Sequence, residues 1–190
     1  MVWALIYIKI LHYIGLSQEI LRGLEISLRD VFLGSRITIE ERVHFPSIDC
    51  LNWTRGQYNS THILHFLHSS IRKRENEKVL AIVSVDLYTD HLNFVFGEAN
   101  WHTGIAVVST YRLRTEFYGE NPSPELFRKR LFKEAIHELG HTLGLDHCPN
   151  PTCVMYFSNS ILDTDQKDAD LCLQCKFQLG IAEESIASLL

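Results

Sequence analysis

Apolar residues change their spacing several times along this chain, and each spacing points to a different element. Residues 1–16, MVWALIYIKILHYIGL, are apolar almost throughout and predict a buried strand from Val2 to Leu11. In SQEILRGLEISLRDVFLG the spacing becomes helical, with Ile20, Leu21, Leu24, Leu28, Val31 and Phe32 on one side. Ser17 stands as the cap and Gly34 as the stop. RITIEERVHF then reads as a strand ended by Pro46. A polar loop, Asn52 to Gln57, leads to a helix over Ser60 to Arg74. Val79 to Leu87 is expected to be one strand, and NFVFGEAN and GIAVVST two more. This order of strands and helices predicts an α/β or α+β layer built on a mixed sheet, not a bundle.

The strongest helix signal is NPSPELFRKRLFKEAIHELGHTLGL. Ser123 followed by Pro124 matches an N-cap with proline in the first turn. Leu126, Phe127, Leu131, Ile136, Leu139 and Leu143 recur at the helical period. Beyond it lie a loop-rich stretch containing CPNPTC and a closing amphipathic segment, Leu173 to Leu189. No internal repeat or low-complexity tract interrupts this plan.

Composition narrows the functional classes. The chain has 190 residues, 46% of them hydrophobic and 22% charged, enough for one domain with a real core. A net charge of -5 argues against nucleic acid as a partner. The basic run Arg72-Lys73-Arg74 is followed by Glu75 and Glu77, and reads as a solvated helix end. Lys9 and His12 interrupt the apolar opening, which also lacks a basic leader and a cleavage site, so neither a signal peptide nor a membrane span is expected. A monomer in the cytoplasm is the corresponding expectation. In such a reducing compartment five cysteines point to metal rather than disulfides, with Cys50 a buried inert thiol.

The chemistry concentrates in HELGHTLGLDHC, His137 to Cys148. On a helix, His137 and His141 sit one turn apart on nearly one face, so both imidazoles can reach a single ion. Glu138 lies one position around, placed to act as a general base on a metal-bound water. Were the helix to continue, His147 would lie roughly 15 Å from His137 along the axis. Gly144 supplies a left-handed stop that turns the chain back and lets His147 serve as the third ligand. From composition alone, HExxH would arise roughly 0.04 times in a chain of this length, and with the later glycine and histidine on the order of 10⁻⁴ times. Three histidines leave a fourth tetrahedral position for water, the mark of a catalytic rather than structural zinc, and the chemistry implied is amide hydrolysis.

HELGHTLGLDH followed by Met155 resembles the metzincin clan of zinc peptidases. With Cys148, Cys153, Cys172 and Cys175 the pattern is similar to the archaemetzincins in particular. That resemblance implies a zincin-like fold with a backing helix, an active-site helix and a small C-terminal subdomain. It implies His137, His141 and His147 as catalytic zinc ligands, Glu138 as general base, and Met155 as an apolar turn residue beneath the site. DLYTDHLNFVFGEA also resembles the family's edge-strand segment, which implies a peptide or protein substrate bound antiparallel along NFVFGEANW. The alternative is a strand that merely ends the sheet under a covering loop.

Cys148-x4-Cys153 and Cys172-x2-Cys175 have the spacing of a four-cysteine structural zinc site, giving two zinc ions per chain. Two disulfides remain an alternative, as does Cys148 acting as a fourth ligand of the histidine ion. The expected plan is an upper subdomain over 1–147 and a lower one over 148–190, with the cleft between them. His62, His65 and His68 recur every three residues and are expected on a polar helix face, and His91 and His102 in loops. Tyr156 is a candidate oxyanion helper. The rival to the peptidase is a zinc-stabilised peptide-binding protein that keeps the fold without hydrolysis.

Overall fold

The computed structural model describes residues 5–42 and 48–181. Its elements in chain order are β1 (Tyr7–His12), α1 (Gln18–Val31), β2 (Arg36–Glu41), β3 (Leu51–Asn52), β4 (Gln57–Asn59) and α2 (Ser60–Ser70). There follow β5 (Glu77–Val83), β6 (Leu87–Thr89), β7 (Leu92–Val95), β8 (Gly97–Asn100), β9 (Ile105–Ser109), α3 (Pro124–Thr142), α4 (Ile161–Gln166) and α5 (Leu173–Gln178). The main sheet runs β2-β1-β5-β9-β8, with β8 antiparallel to β9 and the other pairings parallel. A smaller sheet, β3-β4-β6-β7, stands beside it.

Strand β5 shows why the sheet is layered on both faces. Leu80 and Ile82 point to one side, where they join Ile8, Ile10, Ala106 and Val108 under α1 and α3. Val79, Ala81 and Val83 point to the other, where Ile63, Leu64 and Leu67 of α2 cover them. Both faces of a parallel strand are dry, so the sequence is continuously apolar there instead of alternating. Burial of each such aliphatic side chain contributes roughly 1.5–3 kcal/mol, which makes this packing the main force holding the helices to the sheet. Ser17 caps α1 through its hydroxyl, and Gly34 follows the helix with a positive φ, as the spacing predicts.

Several predicted elements differ in extent, the first strand among them, which begins at Tyr7 and runs to His12. The helix expected over Ser60 to Arg74 ends at Ser70, where Ile71 turns extended. The strand expected over Val79 to Leu87 stops at Val83 and resumes as β6. Between them Ser109 Oγ takes the carbonyl of Val85, and Arg112 holds Asp86 with two bonds of 2.6 and 2.8 Å. NFVFGEAN is two strands, not one: at the buried Phe96 the chain leaves the smaller sheet and enters the main one. Residues 2–4 of the first predicted strand, Pro46 and the end of the second, and residues 182–189 of the closing segment lie outside the described residues.

Candidate active site

Helix α3 carries the first part of the site. Ser123 Oγ accepts from the amide of Leu126, Pro124 opens the first turn, and Glu125 faces the positive end of the helix dipole. His137 and His141 then fall on the inner side of the last turns. After Leu143 the backbone passes through Gly144 at φ 93°, a value L-residues rarely adopt, and Leu145 N bonds back to the Gly140 carbonyl at 3.1 Å. That reversal brings the His147 ring to 4.7 Å from the His141 ring and 5.3 Å from the His137 ring, centre to centre.

The orientations suit a cation. His137 Nδ1 lies 2.8 Å from the Val154 carbonyl and His141 Nδ1 2.7 Å from the Leu145 carbonyl. Each Nδ1 therefore carries the proton, and each Nε2 presents a lone pair. Those two Nε2 atoms stand 3.1 Å apart, an unfavourable approach for two lone pairs alone. Around a tetrahedral zinc with bonds of 2.0–2.1 Å, ligand nitrogens would be about 3.3 Å apart, so the pair fits a shared ion. One nitrogen from each of the three histidines lies within 4.8 Å of the others. Burial holds all three imidazoles below their usual range, which keeps them neutral and able to ligate.

Glu138 is buried beside this group and lines a cleft of about 950 Å³. Burial pushes its carboxyl well above the usual range; Glu134 adds to that push and Lys167 opposes it. Gly97 of β8 is its close neighbour. A β-carbon there would sit 2.6 Å from Glu138 Cγ and Oε1. The sequence reading missed this glycine, although an isolated glycine in a strand is a known sign of close approach. On the opposite face of β8, Glu98 is held by the hydroxyls of Ser60 and Thr61. Met155 is fully buried and packs against Gly140 on the back of α3.

Cys148, Cys153, Cys172 and Cys175 gather in a second group, with their sulfurs within 4.8 Å of one another. The Cys148–Cys172 and Cys153–Cys175 sulfurs are 3.7 and 3.8 Å apart. A disulfide would need about 2.05 Å, whereas four thiolates on a zinc at about 2.3 Å would be spaced near 3.8 Å. Cys148 stands with the cysteines and not with the histidines. Burial pushes Cys153 and Cys175 up, while against its own burial Cys172 is brought down to about 7 by the Cys175 N–H and neighbouring thiols. Both donor sets therefore fit zinc.

The other singled-out residues separate cleanly. His62, His65 and His68 lie on the exposed side of α2, opposite Ile63, Leu64 and Leu67. His91 lines the cleft, and His102 stacks on the exposed Trp101 at its rim. Tyr156 is not among the residues lining the cleft. Among the described residues no helix is long and apolar enough to cross a membrane.

A helical HExxH pair, a third histidine beyond a glycine turn and a buried methionine beneath them, set under a mixed sheet, define a zinc metallopeptidase. The sequence profile described as peptidase family M54 matches residues 2–180. An archaemetzincin of Methanocaldococcus jannaschii is 45% identical over 159 residues, which is 84% of each chain. One from Pyrococcus horikoshii is 51% identical over 135 residues, 70% of this chain and 71% of that one. The crystal structure of the Methanopyrus kandleri archaemetzincin matches with a TM-score of 0.80 at 34% identity, over 95% of this chain and 96% of its own. That of a zinc-dependent peptidase from Methanocorpusculum labreanum gives 0.82 at 29% identity, over 91% and 100%. The chain belongs to peptidase family M54, the archaemetzincins.

Proposed function

We propose that this chain hydrolyses peptide bonds in the cleft between α3 and β8, with His137, His141 and His147 holding zinc and Glu138 acting as general base. The observation that carries this reading is the convergence of three imidazoles beside the buried carboxyl of Glu138. Zinc bound there supplies a water of lowered pKa and a positive charge for the carbonyl oxygen. Glu138 takes the proton of the attacking water as its oxygen bonds to the carbonyl carbon. It passes that proton to the amide nitrogen as the C–N bond breaks, so the carboxylate is regenerated.

Strand β8 closes the main sheet, so its outer edge can accept an extended peptide by antiparallel strand addition. Gly97 keeps that edge low over Glu138. The four cysteines hold a second, structural zinc, giving two ions per chain, and they tie the segment carrying His147 and Met155 to the residues around α5. On this reading the chain divides into an upper subdomain, 1–147, and a lower one, 148–190, whose Phe157 and Ser158 reach the cleft. The four unbridged thiols support a reducing, cytoplasmic setting, and nothing in the mechanism calls for more than a monomer.

The test is a mixed peptide library incubated with the zinc-loaded protein and with Glu138→Ala. Removing a general base costs about 10²–10⁴-fold, so the variant should keep two zinc ions and lose turnover by that order. Equal turnover would remove Glu138 from the reaction, and a zinc-loaded wild type that cleaves nothing would overturn the peptidase assignment.

A further inference from the structure

Lys167 has no exposed side-chain surface. Taking an ammonium out of water costs several kcal/mol, so a lysine in this position demands explanation. Its Nζ meets Glu134 Oε1 at 3.0 Å, and Glu134 is itself buried, one turn before Glu138 on α3, where it lines the cleft. Thr164 Oγ1 donates to the same oxygen at 3.0 Å. A longer contact of 3.4 Å joins Lys167 Nζ to the carbonyl of Tyr156, the residue after Met155.

Neighbouring contacts bind the same two parts. Arg130 holds Asp165 with bonds of 2.7 and 2.6 Å, and Lys133 donates to the carbonyls of Thr164 and Asp165 at 3.0 and 2.9 Å. Arg130, Lys133 and Glu134 thus staple the end of α4 to the helix that carries the histidines. Buried ion pairs are poor stabilisers compared with apolar packing of the same volume. What they supply is direction, because a hydrogen-bonded pair tolerates little sliding.

We infer that Lys167 is a positioning residue for the peptide. Through Glu134 and the Tyr156 carbonyl it sets the distance between the catalytic helix and segment 155–158, whose Phe157 and Ser158 line the cleft opposite β8. The inference rests on the peptidase reading, and its test reads binding apart from turnover.

Lys167→Met alone strands a buried carboxylate, so the neutral double variant Glu134→Gln/Lys167→Met carries the test beside Lys167→Arg. The probes are acetohydroxamate, which reports the metal alone, and a leucyl-alanyl peptide carrying the same hydroxamate, which also fills the wall. Calorimetry on zinc-loaded protein should show acetohydroxamate affinity unchanged in the double variant. Peptidyl hydroxamate affinity should fall by about 10-fold or more, the scale of one misplaced wall, with most of it regained in Lys167→Arg. Wild-type affinity for the peptidyl probe in the double variant would make the pair a purely structural contact. Loss of acetohydroxamate binding or of zinc in that variant would place its effect on the metal centre and overturn the positioning role. Wild type that holds zinc but binds neither probe would overturn the peptidase reading itself.

Discussion

Glu138 and Gly97 show how one side chain's chemistry depends on the absence of another. Glu138 is buried against the edge of β8, and the space it occupies is where a β-carbon of residue 97 would be. Gly97→Ala therefore has to displace the carboxylate or push β8 outward. A shift of about 1 Å in a catalytic group can cost on the order of 10²-fold in rate. The expected result is a kcat lowered by about that factor with zinc content at wild-type level, measured by steady-state kinetics beside metal analysis. Unchanged kcat would show that Glu138 has room to retreat. The position of Glu138 was legible from HExxH, because helical spacing sets it beside the two histidines, where it is buried at the cleft. Gly97 was not, since its neighbour comes from a helix distant in sequence and only the fold brings them together.

At the scale of elements, α3 delivers two histidines and the turn after it delivers the third. Gly144 makes that turn at a φ where an alanine is strained by roughly 1–2 kcal/mol. Gly144→Ala should lower the melting temperature by a few degrees and weaken zinc at the histidine site more than at the cysteine site. Competition with a chromophoric chelator separates the two, and equal weakening would argue against a special role for this turn. The helix was readable end to end because its cap, proline, stripe and stop agree. The hairpin region was not. Alternating apolar residues run through Phe94 and Phe96 without a break, and periodicity does not register a chain that changes sheets mid-run. Strands of two and three residues, β3 and β4, are likewise too short to leave a period, and they hold through contacts such as Gln57 to Asp86.

Across the whole molecule, the segment between the two donor sets is short and shares both. His147 adjoins Cys148, and Met155 follows Cys153 by two positions, so the cysteine group anchors the floor of the histidine group. Val154 and Met155 already pack into the main core, and on the proposed reading a zinc at the four cysteines would add a cross-link to that packing. Cys172→Ser should remove one zinc and lower the melting temperature by about 10 °C or more, given the several kcal/mol that structural zinc contributes. It should also speed loss of the remaining ion to a chelator. A variant that melts like the wild type would show that this region holds itself together.

The pairing of β8 with β9 sets Gly97 opposite Val108 and Glu98 opposite Val107. A slip of one residue would exchange the two faces of the strand. Glu98 would then leave the hydroxyls of Ser60 and Thr61 and thrust a second carboxylate at Glu138. Like-charge repulsion and the lost bonds from Ser60 and Thr61 to Glu98 would both count against the misaligned hairpin before any ion arrived. Folding in this way proofreads its own reaction centre.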